Sequence, residues 1–209
     1  MRVDDRVRCL DFPCTDVRHD RYQVPDLDLE PGKIRVVLIS ECSPAEPEDH
    51  YYGPGSPLFA RTTVQAFQDA GAVVSSVQDI LALGVYLTTA VKCGKTGYGI
   101  AGDTVRACSQ LLERELELFP HVHAFLLMGD VAIQAINGIA RRAGEGRVIP
   151  AGSTYKIRGS PYYFRGKRAF PSYLQAGPSF FIENSKRQMI AEDIAAALSL
   201  VREADKAGP

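Results

Sequence analysis

The chain has 209 residues, 45% of them hydrophobic and 23% charged, with a formal net charge of −1. That composition suits one globular domain with a sizeable core and excludes disordered and repeat-array chains. The near-neutral charge excludes bulk electrostatic coating of nucleic acid, so any such contact must be local.

No apolar run is long enough to span a bilayer, and MRVDDRVRCLDFPC carries charges where a signal peptide would have its apolar core. A cytosolic protein without membrane contact is expected. Its five cysteines then read as reduced thiols, some of them candidate metal ligands, rather than as a disulfide framework.

Residues 1–32 are polar and broken by prolines, which predicts an irregular N-terminal arm holding Cys9 and Cys14. Residues 33–205 read as the domain proper. IRVVLIS (34–40) is a β-branched apolar run that predicts a strand buried on both faces. The loop ECSPAEPEDHYYGPGSP follows, too long and too acidic for a simple connection. Phe59, Val64, Phe67 and Ala70 then recur at helical spacing, and VYLTTAV (85–91) predicts a second strand. Asp103 is placed to cap a helix buried through Cys108, Leu111, Leu112 and Leu116. HAFLLMG (123–129) predicts a third strand, with Asp130 capping VAIQAINGIARR. YYFRGKRAFPSYLQ predicts a hairpin turning at 165–167, and Asn184 or Ser185 opens a last amphipathic helix. The expected fold is a three-layer α/β/α domain around a mainly parallel four-stranded sheet, with ligands met at the carboxyl ends of the strands.

Gly94-Lys95-Thr96 is the ending of a phosphate-binding P-loop, but Thr89 stands inside the predicted strand where the first glycine should be. The wrapping turn cannot form there. The cysteines carry more: Cys93 ends a strand, Cys108 sits in the next helix, and Cys9 and Cys14 lie on an arm that can fold back over them. Four thiolates from three segments suit a [4Fe–4S] cluster or a tetrahedral zinc, against a reading in which Cys108 is a small core residue.

SECSPAEPED (40–49), TTAVKC (88–93), Cys108, MGDVA (128–132) and GPS (177–179) occur in an order that resembles the uracil-DNA glycosylase superfamily, most closely its iron–sulfur branch, family four. The resemblance implies a DNA-repair glycosylase that extrudes uracil or another deaminated base and hydrolyses its N-glycosidic bond. It implies a [4Fe–4S] cluster on Cys9, Cys14, Cys93 and Cys108, with zinc as the alternative. Glu41, Glu48 and Asp49 become the candidate catalytic carboxylates. Tyr52 or Phe59 would stack on the base, and Thr89, Gly177 and Ser179 would surround it. Lys186 and Arg187 would face DNA, as would the basic hairpin region of Lys156, Arg158, Arg165, Lys167 and Arg168. The sequence departs from the family where Thr89 replaces a base-reading Asn and Gly177 replaces a His that stabilises the departing uracil. That leaves His50 or backbone N–H groups near Gly177 as donors. A monomer is expected. The alternatives are a silent nucleic-acid-binding module of the same fold and a hydrolase of free nucleosides.

Overall fold

The computed structural model describes residues 1–97 and 99–207. Its sheet is built from β1 (Val17–Arg18), β2 (Val36–Ser43), β3 (Val85–Lys95), β4 (Ala124–Met128), β5 (Tyr162–Phe164) and β6 (Lys167–Ser172), in the order β1-β3-β2-β4-β6-β5. The inner strands β3, β2, β4 and β6 are parallel, and these are the four expected strands. The sheet has six because the arm adds β1 antiparallel to β3, and the first half of the hairpin adds β5 antiparallel to β6. Arg165 and Gly166 turn that hairpin with positive φ at both positions, as a two-residue turn with right-handed twist requires.

Alternation along the buried strands divides the core. Val37, Ile39, Phe125 and Leu127 face α3 (Gly102–Leu116) and α4 (Asp130–Arg142), while Val36, Leu38, Leu126 and Met128 face the other layer. That layer holds α1 (Leu58–Asp69), α2 (Val77–Ala82) and α6 (Asn184–Ala207). The short α5 (Thr154–Ile157) precedes the hairpin. The three-layer α/β/α reading holds. Among the described residues, no helix is long and apolar enough to cross a membrane.

Local chemistry departs from expectation at three helix starts. Asp103 does not cap α3; it lies in the first turn and accepts a hydrogen bond from Arg106 at 2.7 Å. Asp16 of the arm caps instead, accepting from the Ala101 N–H at 2.6 Å and from the Thr104 hydroxyl. Asp130 likewise falls inside α4, because Gly129 occupies the cap position. The unexpected α2 has a reciprocal box in which Ser76 and Asp79 bond each other's backbone N–H groups.

The main irregularity lies between β2 and β3. Both strands run past their expected ends, so Glu41, Cys42 and Ser43 belong to a strand rather than to the loop. Ser40 pairs with Thr89 and Cys42 with Val91, but Ser43 pairs with Gly94, so Lys92 and Cys93 form a bulge. The carbonyls it frees are taken by side chains, Cys93 by the Cys42 thiol at 3.1 Å and Lys92 by the Ser43 hydroxyl at 3.0 Å.

The Lys92 side chain has no exposure and forms an ion pair with Glu115, which has none either. Its ammonium also donates to Thr89 O at 2.6 Å and Thr88 Oγ1 at 2.7 Å, while Glu115 accepts from the Tyr86 and Thr88 hydroxyls. Such a pair repays desolvation only when its remaining bonding capacity is used, as here. Lys92→Met, which strands the Glu115 carboxylate, is expected to lose about 3–5 kcal/mol. The Lys92→Met/Glu115→Leu double variant should lose less than the sum of the two single losses. Urea midpoints of the four proteins measure both.

Candidate active site

A cavity of about 570 Å³ opens at the carboxyl ends of β2 and β3. Its wall brings together Glu41, Cys42, Ser43, Asp49, Phe59 and Lys95 with the 174–179 loop. Glu41 continues β2 and reaches over Gly129 to the start of α4, where its carboxylate accepts the Val131 N–H at 3.4 Å. A Cβ on residue 129 would lie 2.5 Å from Glu41 Oε1, and φ there is +98°, so glycine is required for the approach. Burial raises the Glu41 pKa above its ordinary 4.5, with the Val131 N–H and the Lys95 charge acting in the opposite direction. Asp49 caps α1 by accepting the Leu58 N–H at 3.2 Å, which fixes its carboxylate at the cavity edge.

Phe59 forms one wall, within reach of Gly177: a Cβ at 177 would lie 4.0 Å from the Phe59 ring. Gly177 adopts φ +102° and turns the loop into the cavity. Beneath it the Gln175 amide donates to Tyr51 at 2.8 Å, Ser40 at 3.1 Å and Thr63 at 3.2 Å, locking the loop to β2 and α1. Ser179 is exposed at the mouth.

Other expected site residues lie elsewhere. Glu48 and His50 face a different cavity, of about 810 Å³, between the arm and the acidic loop. His50 is therefore not a donor to the first cavity; burial, then the Lys92 charge, lowers its pKa to about 4. Tyr52 is spent structurally, its hydroxyl donating to Leu87 O and accepting from Leu87 N, both at 3.1 Å. Thr89 stands behind Ser43, with the two hydroxyls 3.4 Å apart, so Ser43 is the residue that reaches the wall.

Lys186 and Arg187 line a groove that continues from the cavity past Glu41, Leu174 and Ser179. Lys186 pairs with Glu183 at 2.8 Å and Arg187 holds Asp69 through two hydrogen bonds, one at 2.8 Å. Three cations of the hairpin region are engaged internally: Arg158 with Asp193, Arg165 with Glu113, and Arg168 with backbone carbonyls and over the Phe170 ring. Their carboxylate partners are distant in sequence, which no local reading could anticipate. Sequence reasoning also missed Lys95 and the exposed Phe181 and Ile182 just beyond Ser179. The position of Lys95 two residues past Cys93, at a strand's carboxyl end, was the available signal.

The four cysteines of the expected metal set converge. Cys14, Cys93 and Cys108 are buried and Cys9 is half-buried; Cys9, Cys14 and Cys108 line a cavity of about 400 Å³. Phe12, with φ +43°, bends the arm between Cys9 and Cys14 and packs edge-on against Tyr22. Burial, reinforced by the neighbouring thiols, pushes Cys93 up to about 12 and moves Cys14 upward; burial likewise takes Cys108 to about 11. Among the described residues, no three His, Cys, Asp or Glu side chains gather tightly enough for a single metal ion. A polynuclear cluster is wider than an ion, and three soft donors lining a cavity, with Cys93 close enough to feel their charges, suit that size better than a single zinc ion.

A mainly parallel sheet with an aromatic and two carboxylates in a cavity at its carboxyl edge defines an α/β domain with a candidate ligand site where such sheets usually carry one. The chain belongs to the uracil DNA glycosylase superfamily, whose family model matches residues 28–195. It is similar to a curated "Type-5 uracil-DNA glycosylase" from Thermus thermophilus, 36% identical over 58 residues, covering 28% of this chain and 26% of that protein. The match thus spans about a quarter of the length of that relative. Among solved structures it is similar to the wild-type UNG of Nitratifractor salsuginis at 14% identity, with a TM-score of 0.40, covering 80% of this chain and 75% of that one. A mutant of the same enzyme gives the same identity and TM-score.

Phe59 and Tyr52 have separable roles in this geometry. Phe59→Ala is expected to weaken binding of an extruded base by about 1–3 kcal/mol, the worth of one base–aromatic stack. Tyr52→Phe should cost about 1 kcal/mol of stability through the lost hydroxyl bonds and leave binding unchanged. Oligonucleotide titrations beside urea unfolding distinguish the two.

Proposed function

We propose that the protein is a DNA glycosylase that hydrolyses the N-glycosidic bond of uracil or another deaminated base. The observation that carries this reading is the meeting of Glu41, Asp49 and Phe59 in one cavity at the sheet's carboxyl edge. The base stacks on Phe59 under the Gly177 loop. The cleaving bond develops positive charge on the sugar, which the Glu41 carboxylate stabilises while it orients the attacking water. Exposed Phe181 and Ile182, which follow Ser179 in the chain, would fill the space that the extruded base leaves in the duplex.

In this reading Cys9, Cys14, Cys93 and Cys108 hold a [4Fe–4S] cluster. The cluster supplies a structural cross-link between the arm, β3 and α3. Support comes from the gathering of these thiols, three of which, Cys14, Cys93 and Cys108, burial would otherwise keep protonated.

The test of activity is an excision panel with anaerobically prepared protein on single- and double-stranded oligonucleotides carrying uracil or hypoxanthine. Abasic product is expected; salt-sensitive binding without product at enzyme excess would favour a silent binding module instead.

Four further outcomes are expected. Glu41→Gln should lose about 100- to 10,000-fold in kcat/KM. Because the ionised carboxylate is the working form and burial raises its pKa, wild-type activity should fall with decreasing pH along a limb centred above 4.5, absent in the variant. Phe181→Ala/Ile182→Ala should slow excision from duplex DNA more than from single strands. Cys93→Ser should lose iron and the brown absorbance of the wild type, measured by metal analysis and visible spectroscopy.

A further inference from the structure

We propose that Lys95 is the cation that takes up the negative charge of the departing base. The inference rests on the N-glycosyl hydrolysis reading and adds a residue to it. In that reaction the C1′–N bond breaks and its electron pair leaves with the base nitrogen. Water oxygen bonds to C1′, and the proton that the water gives up passes to the Glu41 carboxylate and then to the base nitrogen. The two ends of the breaking bond therefore need opposite fields: negative at the sugar, positive at the base.

Glu41 and Asp49 supply the negative side, and both would oppose a base anion placed near them. Lys95 is the one cationic side chain among the described residues that line the cavity. It closes β3, half-buried, and its backbone pairs with Val17 of β1. The other cations nearby are committed: Lys92 lies beneath the bulge on Glu115, Lys186 on Glu183 and Arg187 on Asp69. No carboxylate of the described residues forms an ion pair with Lys95, so its charge is available to a ligand. The field of the ammonium reaches both Glu41 and Cys42, on the opposite strand of the same wall.

The cavity offers few other groups for an anion. Ser43 is turned to Lys92 O at 3.0 Å, the Cys42 thiol donates to Cys93 O at 3.1 Å, and the Gly177 N–H donates to Thr62 Oγ1 at 3.4 Å. A cation with a flexible stem can instead follow the charge as it develops, which lowers the barrier without tightening the ground state.

The experiment compares two leaving groups in the same oligonucleotide, uracil and the more acidic 5-fluorouracil, with wild type, Lys95→Met and Lys95→Arg under single-turnover conditions. Lys95→Met is expected to lose about 100- to 1000-fold on uracil, as for removal of one charge-stabilising donor. On 5-fluorouracil it should lose no more than about tenfold, because that base carries its own charge better. Lys95→Arg should recover most of the uracil rate. The Lys95 side chain sits at a strand end and outside the ion-pair network, so an unchanged urea midpoint should show that the variants fold. Equal losses on both bases, or no loss, would overturn the role of Lys95 while leaving glycosylase activity standing. A wild type that releases neither base would overturn both.

Discussion

Two residues that leave the β2–β3 ladder, Lys92 and Cys93, organise the rest of the molecule. The bulge turns their side chains out of pairing, Lys92 onto Glu115 and Cys93 among the other thiols. The freed carbonyls are taken by Cys42 and Ser43, which also form part of the cavity wall. The backbone N–H of Gln23, from the arm, donates to Lys92 O as well, at 2.8 Å. One irregularity in one strand thus joins the arm, the thiol group and the cavity at the sheet's carboxyl edge. The Lys92 ammonium and the Glu115 carboxylate are themselves fully hydrogen-bonded, which holds the bulge in place.

The cavity is built from charges placed at fixed heights. Gly129 lets Glu41 rest on the start of α4, and the capping bond to α1 holds Asp49. Lys95 extends β3 from the other side. The two carboxylates are thus held in place before any charge develops, while the ammonium rides on a flexible stem. Apolar contact is left to Phe59 and the loop at Ala176 and Gly177, which the buried Gln175 amide supports from below.

Much of this was legible in the sequence. Apolar runs predicted the first three parallel strands, because buried strands leave few other residue types possible, and the hairpin pattern predicted the fourth. The hairpin followed from Arg165-Gly166, and Glu41, Phe59 and Gly177 followed from the order of short motifs. What was not legible depends on partners far apart in the chain. Tyr52 and Phe59 are equivalent aromatics in the sequence, and only the bond to Leu87 separates them. The hairpin cations look free until Asp193 and Glu113 are seen beside them. Lys95 was hidden in a false nucleotide-binding motif: its neighbours suggested phosphate, whereas it lines the cavity beside Glu41 and Phe59.

The most direct test of the account is the structure of the cluster-loaded protein with a duplex containing a 2′-fluorinated deoxyuridine, which resists cleavage. The account predicts the uracil ring extruded into the cavity against Phe59, with its sugar toward Glu41 and its edge toward Lys95. A uracil still stacked in the duplex, or bound outside the cavity formed by Glu41, Phe59 and Gly177, would contradict it.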